Sequence, residues 1–258
     1  MSMEHRTRGS VLAIAVALGL CAVASADLGA IDFLVPGMSL ESVSLVPGSR
    51  VSYLVTSQSF GATDSSYVEL RVLDRAGGAF RLEILSSPYP RSKEEGTTIR
   101  IRLAERVTSA ATSEEFRSCL EEIRIREGAE AFRSPTQKEL DDLDIEGLFV
   151  RANDHSERRA LEPARIATPA GSFLCDGAEL SRKETRQVSL GGVQAERTEE
   201  MTSRLWLSRE VPLWGLVKSR IEKTDLTRSS AARAGGQTPR VTVTESILLS
   251  YRRPRGRS

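Results

Sequence analysis

Acid-base and nucleophilic chemistry at neutral pH most often recruits histidine. Beyond the first 26 residues this chain holds one, His155, set between Asp154 and Ser156. Ser156 adjoins it in sequence and is badly placed to form a nucleophile–base pair with it, so His155 reads as a solvated loop residue. The carboxylates Glu139, Asp141, Asp142, Asp144 and Glu146 could offer oxygens to a calcium ion. They lack the central glycine and the terminal bidentate glutamate of a calcium loop, and read instead as an acidic helix end. Gly191-Gly192 has no lysine behind it, so it reads as a tight hairpin turn and not as a phosphate cradle. Cys119 and Cys175 would close a loop of 56 positions, where a disulfide is worth about 4 kcal/mol. The sequence alone leaves two readings open, a bridge or two buried thiols. Too few soft ligands accompany them for zinc, so no metal and no cofactor is expected, and no catalytic residue is identified.

The remaining chemically distinctive groups are apolar. Both tryptophans lie in one dense segment, Leu205 to Ser219, where Pro212 and Gly215 interrupt any regular strand. Two strands flanking a turn are predicted, with Leu213 and Trp214 at its tip. Such a tip suits ligand or membrane contact if it projects, and core packing if it does not. Trp206, Trp214, Leu213 and Phe173 are the candidate ligand-binding residues.

These groups must be positioned somewhere, and the first 26 residues say in which compartment. Arg6 and Arg8 precede an apolar, small-residue run from Val11 to Ala26 that ends Ala24-Ser25-Ala26. That order is a secretory signal, cleaved after Ala26, and the run is short for a membrane span of about 20 residues. Leu20 before Cys21 does not suit lipidation. The working chain is predicted to be periplasmic or secreted, with no transmembrane segment after cleavage. The whole chain has 36 basic and 35 acidic residues, and removing Arg6, Arg8 and Glu4 makes the two signs equal. Arginines are dispersed and followed closely by acids, so a mixed-sign surface is expected and no nucleic-acid partner.

Period-two alternation marks the strands: Val51, Tyr53, Val55; Val68, Leu70, Val72; Phe80, Leu82, Ile84; and Ile99, Ile101, Leu103. Asp74 to Gly78 joins the second to the third as a hairpin. Later alternation runs through Phe173 and Cys175, Trp206 and Ser208, Val217 to Lys223, and Val241 to Tyr251. Nine or ten strands result. Ser134-Pro135-Thr136-Gln137 predicts a capped helix from Pro135 to about Leu143. Ser113 to Glu122 stays divided between helix and strand. Polar stretches at 151–162 and 227–240 read as flexible loops, and Arg252 to Ser258 as a basic tail. An antiparallel sheet of this many strands curls. The expected fold is mainly β, one domain over residues 27–258, formed by a single curled sheet or half-barrel with one or two short helices; a β-sandwich is the alternative.

Thr168 to Cys175, followed by Leu205 to Ser208 and Val211 to Lys218, resembles a signature of uncharacterised exported bacterial β proteins. Those are similar in architecture to the LolA/LolB lipoprotein carriers, whose curled sheet holds acyl chains in a hollow. No carrier ligand residue carries over position by position. The resemblance, with the absence of catalytic groups, implies a non-enzymatic exported binding module for a lipid-like or hydrophobic ligand or a lipidated partner. The alternative is a structural or protein-interaction component of the cell envelope.

Overall fold

The computed structural model describes residues 45–90, 96–109, 118–142, 157–190, 193–229 and 239–254. Among these residues ten strands form one antiparallel sheet: β1 (Arg50–Ser59), β2 (Ala62–Ala76), β3 (Ala79–Pro88), β4 (Thr97–Ala104), β5 (Leu120–Glu127), β6 (Glu157–Thr168), β7 (Gly171–Leu190), β8 (Val193–Leu207), β9 (Leu216–Ser229) and β10 (Arg240–Arg252). Their order across the sheet is β5-β4-β3-β2-β1-β10-β9-β8-β7-β6. Two meanders of consecutive strands thus meet along a seam between β1 and β10, where Val51 opposes Tyr251 and Val55 opposes Ser246.

Consecutive strands pair because short turns join them. Phe60-Gly61 links β1 to β2, Gly77-Gly78 links β2 to β3, and β7 returns as β8 with Leu190 opposite Val193. At the β6–β7 turn the Ala170 amide donates to Thr168 Oγ1 at 3.1 Å. Period two then sends one side of every strand to a common core. Tyr53, Val68, Leu82, Ile99, Ile101, Leu205 and Leu248 are buried on that side.

The sheet curls around this core. Phe173 of β7 meets Tyr251 of β10 edge to face, with centroids 5.7 Å apart, although β8 and β9 lie between their strands in sheet order. Three flat strand spacings would separate them by about 14 Å. β6 likewise touches β9 and β10. The core face is therefore the concave one. The mainly-β, single-curled-sheet expectation holds, and the sandwich alternative does not.

Several local expectations change. β6 begins at Glu157, so 157–162 is strand and not loop, and 151–156 lie outside the described residues. β9 runs to Ser229, which removes the first residues of the loop placed at 227–240. The divided segment resolves as strand from Leu120, where Ile123 and Ile125 oppose Ile101 and Ile99. The predicted helix exists as α1 (Gln137–Asp142), but Thr136 caps it in place of Ser134. The Glu139 amide donates to Thr136 Oγ1 at 3.3 Å and the Thr136 amide to Glu139 Oε2 at 2.7 Å, a capping box two residues later than predicted. The shift has a cause: Arg133 is held extended by two backbone hydrogen bonds with Ile125, and Ser134 follows it directly. Leu143 and His155, with the signal segment and residues 255–258 of the tail, lie outside the described residues. No described helix is long and apolar enough to cross a membrane.

The disulfide reading is corrected. Cys119 and Cys175 are separate buried thiols. Cys119 precedes edge strand β5 and Cys175 lies in β7, with seven strands between them in sheet order.

Candidate functional site

The concave face changes character along the strands. On β1 the inward residues are Val51, Tyr53 and Val55, then Ser57 and Ser59. The register carries the same change across the seam: Tyr53 opposes Leu248, Val55 opposes Ser246, Ser57 opposes Thr244 and Ser59 opposes Thr242. On β9, Ser246 meets Ser219, Thr244 meets Ile221 and Thr242 meets Lys223. On β8 those positions face Leu205, Ser203 and Met201. Apolar groups thus give way to a band of hydroxyls, and then to charge.

The band is partly self-satisfied. Ser219 Oγ and Ser246 Oγ lie 2.6 Å apart, and Thr242 Oγ1 donates to Ser59 Oγ at 3.3 Å. Ser203 Oγ is buried with no hydrogen-bond partner among the described residues. Buried polar atoms are rarely left so, because the lost hydration is not replaced.

At the apolar end, the β8–β9 connection folds over the core. The Ser208 amide donates to the Gly215 carbonyl at 2.8 Å and the Val211 amide to Ser208 O at 3.1 Å, closing the loop on itself. Gly215 has φ of 76°, and a Cβ there would lie 2.9 Å from Ser208 O, so glycine is required twice over. Leu213 also takes a positive φ, 67°, a conformation uncommon for any residue but glycine. Of the two readings of this turn, core packing is the one the structure shows: Leu213 and Trp214 are only 1% and 5% exposed. Arg209 and Glu210 stay exposed while Val211 to Gly215 are buried, and turning that apolar half of the loop into the core removes its surface from water. The Trp214 Nε1 proton is buried without a partner among the described residues.

Tyr53 ties this loop to the seam. Its hydroxyl donates to the Leu216 carbonyl at 3.0 Å, and full burial pushes its ionisation far above the ordinary tyrosine range. Phe173 is buried against Tyr251. The neighbouring Cys175 donates to Phe173 O at 3.7 Å, and its thiol is pushed up by burial, then by the charges of Asp176 and Glu210. Trp206 does not join this face. Leu205 and Ser203 take the inward positions of β8, so alternation sends Trp206 to the other side, half-buried, with the Lys218 ammonium 5.7 Å from its ring.

Of the four candidate ligand residues, Phe173, Leu213 and Trp214 are buried in the core, and Trp206 is partly buried and packs against its margin. The hydroxyl band was missed by sequence reasoning that treated serine as a polar spacer. Its signal is visible on β1, where Ser57 and Ser59 continue the inward phase of Val51, Tyr53 and Val55.

No family model matches the chain, and no curated protein matches it. Two solved structures are similar in outline. One is a candidate lipoprotein from Parabacteroides distasonis, 12% identical, with TM-score 0.34, covering 81% of this chain and 99% of its own. The other is a candidate exported protein with a YmcC-like fold from Bacteroides fragilis, 9% identical, with TM-score 0.34, covering 86% of this chain and 99% of its own. Likeness at these values says nothing of ligand or activity.

Proposed function

We propose that this chain is an exported, non-enzymatic binding module whose concave face takes an amphiphile, with its hydrocarbon against the apolar end and its polar group at the hydroxyl band. The observation that carries this reading is the graded face itself, on which Ser203 Oγ is buried and unpartnered. A ligand oxygen at that point would restore the missing hydrogen bond, and the neighbouring Ser219–Ser246 pair offers a further donor and acceptor. The unpartnered Trp214 N–H at the other end suits a second polar contact or the edge of an entering chain. The secretory signal order of residues 1–26 supports a place outside the cytoplasm.

The test is titration of delipidated protein with a fluorescent fatty acid, comparing the parent with Ser203→Ala and Trp214→Phe. Ser203→Ala removes a polar atom left unsatisfied among the described residues, so its melting temperature should hold or rise, whereas Trp214→Phe also gives up buried ring volume and should lose a little stability. Loss of one ligand hydrogen bond weakens uptake by roughly 3- to 10-fold. Unchanged uptake in both variants defeats this reading.

A further inference from the structure

The arginines that look scattered in sequence are aligned by the sheet. Arg252 opposes Arg50 across the seam. Arg50 opposes Arg71, Arg71 opposes Glu83, Glu83 opposes Arg100 and Arg100 opposes Arg124. Five guanidiniums and one carboxylate therefore form a single rung across six strands, about 24 Å long at the usual strand spacing. The rung lies on the convex face, since Val51, Leu70, Ile84 and Ile99, each one residue from it in sequence, are buried in the core.

Its charges are layered over β1 to β4. The carboxylates that hold the rung there are sunk: the Glu69 side chain is 0% exposed and that of Glu83 is 12%, whereas Arg50, Arg71 and Arg100 are each close to 40%. At the β5 end Arg124 donates to Glu122 at 2.6 Å, and that carboxylate is exposed. Glu69 accepts from Arg71 and from the Tyr67 hydroxyl, and lies 3.6 Å from Arg50. Glu83 accepts from Arg100 at 2.9 Å. Phe132 stacks on two guanidiniums, 3.9 Å from Arg100 and 4.6 Å from Arg126, and Arg126 Nε is buried without a hydrogen-bond partner among the described residues. A guanidinium has five N–H donors, so one fixed from below by a carboxylate still presents donors outward. Fixing it in advance lowers the entropic cost of binding an anion.

We infer that this rung is a docking track for a linear acidic polysaccharide, one carboxylate-bearing sugar after another lying along the arginines. Charge complementarity sets the sign, and the planar guanidinium forks suit a bidentate oxyanion such as a carboxylate. Curvature selects the shape. The rung crosses the strands and so follows the bend of the sheet; a planar bilayer touches a convex arc only at its middle, whereas a flexible chain wraps it. An acidic peptide is the competing occupant, which the comparison with polyglutamate separates. The track lies on the opposite face from the amphiphile site and stands independently of it.

Polygalacturonate oligomers provide the probe, titrated into the full chain by calorimetry at low and at physiological salt. Binding should strengthen with oligomer length up to the span of the rung and weaken as salt rises. Arg50→Gln combined with Arg124→Gln should weaken it at least about tenfold, and Arg204→Gln on β8 should leave it unchanged. The corresponding double lysine variant keeps the charges and loses the planar fork. It should fall between parent and glutamine variant at an unchanged melting temperature, which separates docking from folding. Equal binding by parent and both rung variants overturns the inference. So does tighter binding to phosphatidylglycerol vesicles or to polyglutamate than to polygalacturonate.

Discussion

Trp214 carries two opposed energies in one side chain. Its ring is buried, and a core tryptophan cut to alanine costs about 3–5 kcal/mol; chemical denaturation of Trp214→Ala should register that loss. Its N–H has no partner among the described residues, so Trp214→Phe should lose far less. Glu139 supplies the pH handle at this scale. Hydrogen bonds from Arg133, then from the Thr136 amide, hold its carboxyl at about 2, against an ordinary 4.5. Because the folded value lies below the unfolded one, the stability it contributes is complete above about pH 4.5 and is lost as pH falls through 2. An NMR titration should find the Glu139 midpoint near 2, and Arg133→Gln should return it toward 4.5. The sequence named Trp214 as notable but could not say which way it faced, since an apolar turn can project or fold in, and only the loop's closure on Ser208 decides.

At the level of elements, the β1–β2 hairpin is turned by Phe60-Gly61, with φ of 52° and 78°. Both positive values belong to the hairpin turn that prefers Asn-Gly. Phe60 is 78% exposed, with the Arg240 guanidinium 4.7 Å over its ring, so little burial offsets its backbone cost. Phe60→Asn should stabilise the protein by about 1 kcal/mol, measured as a higher denaturation midpoint; an unchanged or lower midpoint would place more weight on the Arg240 contact than this account gives it. Strands β1 to β4 were legible because one clean alternation marks each. β6 was hidden by its charges: Glu157, Arg158 and Arg159 begin a strand that alternation of hydrophobicity does not reveal, and whose Leu161–Ala164 irregularity breaks its phase.

For the whole molecule, the β1–β10 seam is the critical joint. β10 lies between β1 and β9, and no other strand joins the two meanders in the sheet. A chain ending at Pro239 would leave two open edges and remove Leu248 from the core. It should lose the single cooperative transition expected of the intact sheet, with near-UV circular dichroism already reduced in the absence of denaturant; retention of one sharp transition would show that each meander closes its own core.

The order of polar and apolar residues determined by itself that this chain makes many antiparallel strands joined by short turns, because period two and turn chemistry act over a few residues at a time. The same local grammar made a curled sheet the expected outcome. Only the tertiary structure decided that β10 returns to β1, that Ser203, Ser219 and Ser246 meet in one band, that the Trp214 loop turns inward, that Cys119 and Cys175 stay apart, and that five distant arginines align. Each of these depends on register between segments remote in sequence, and register is chosen by how the two meanders bury a shared core rather than by any residue's own preference.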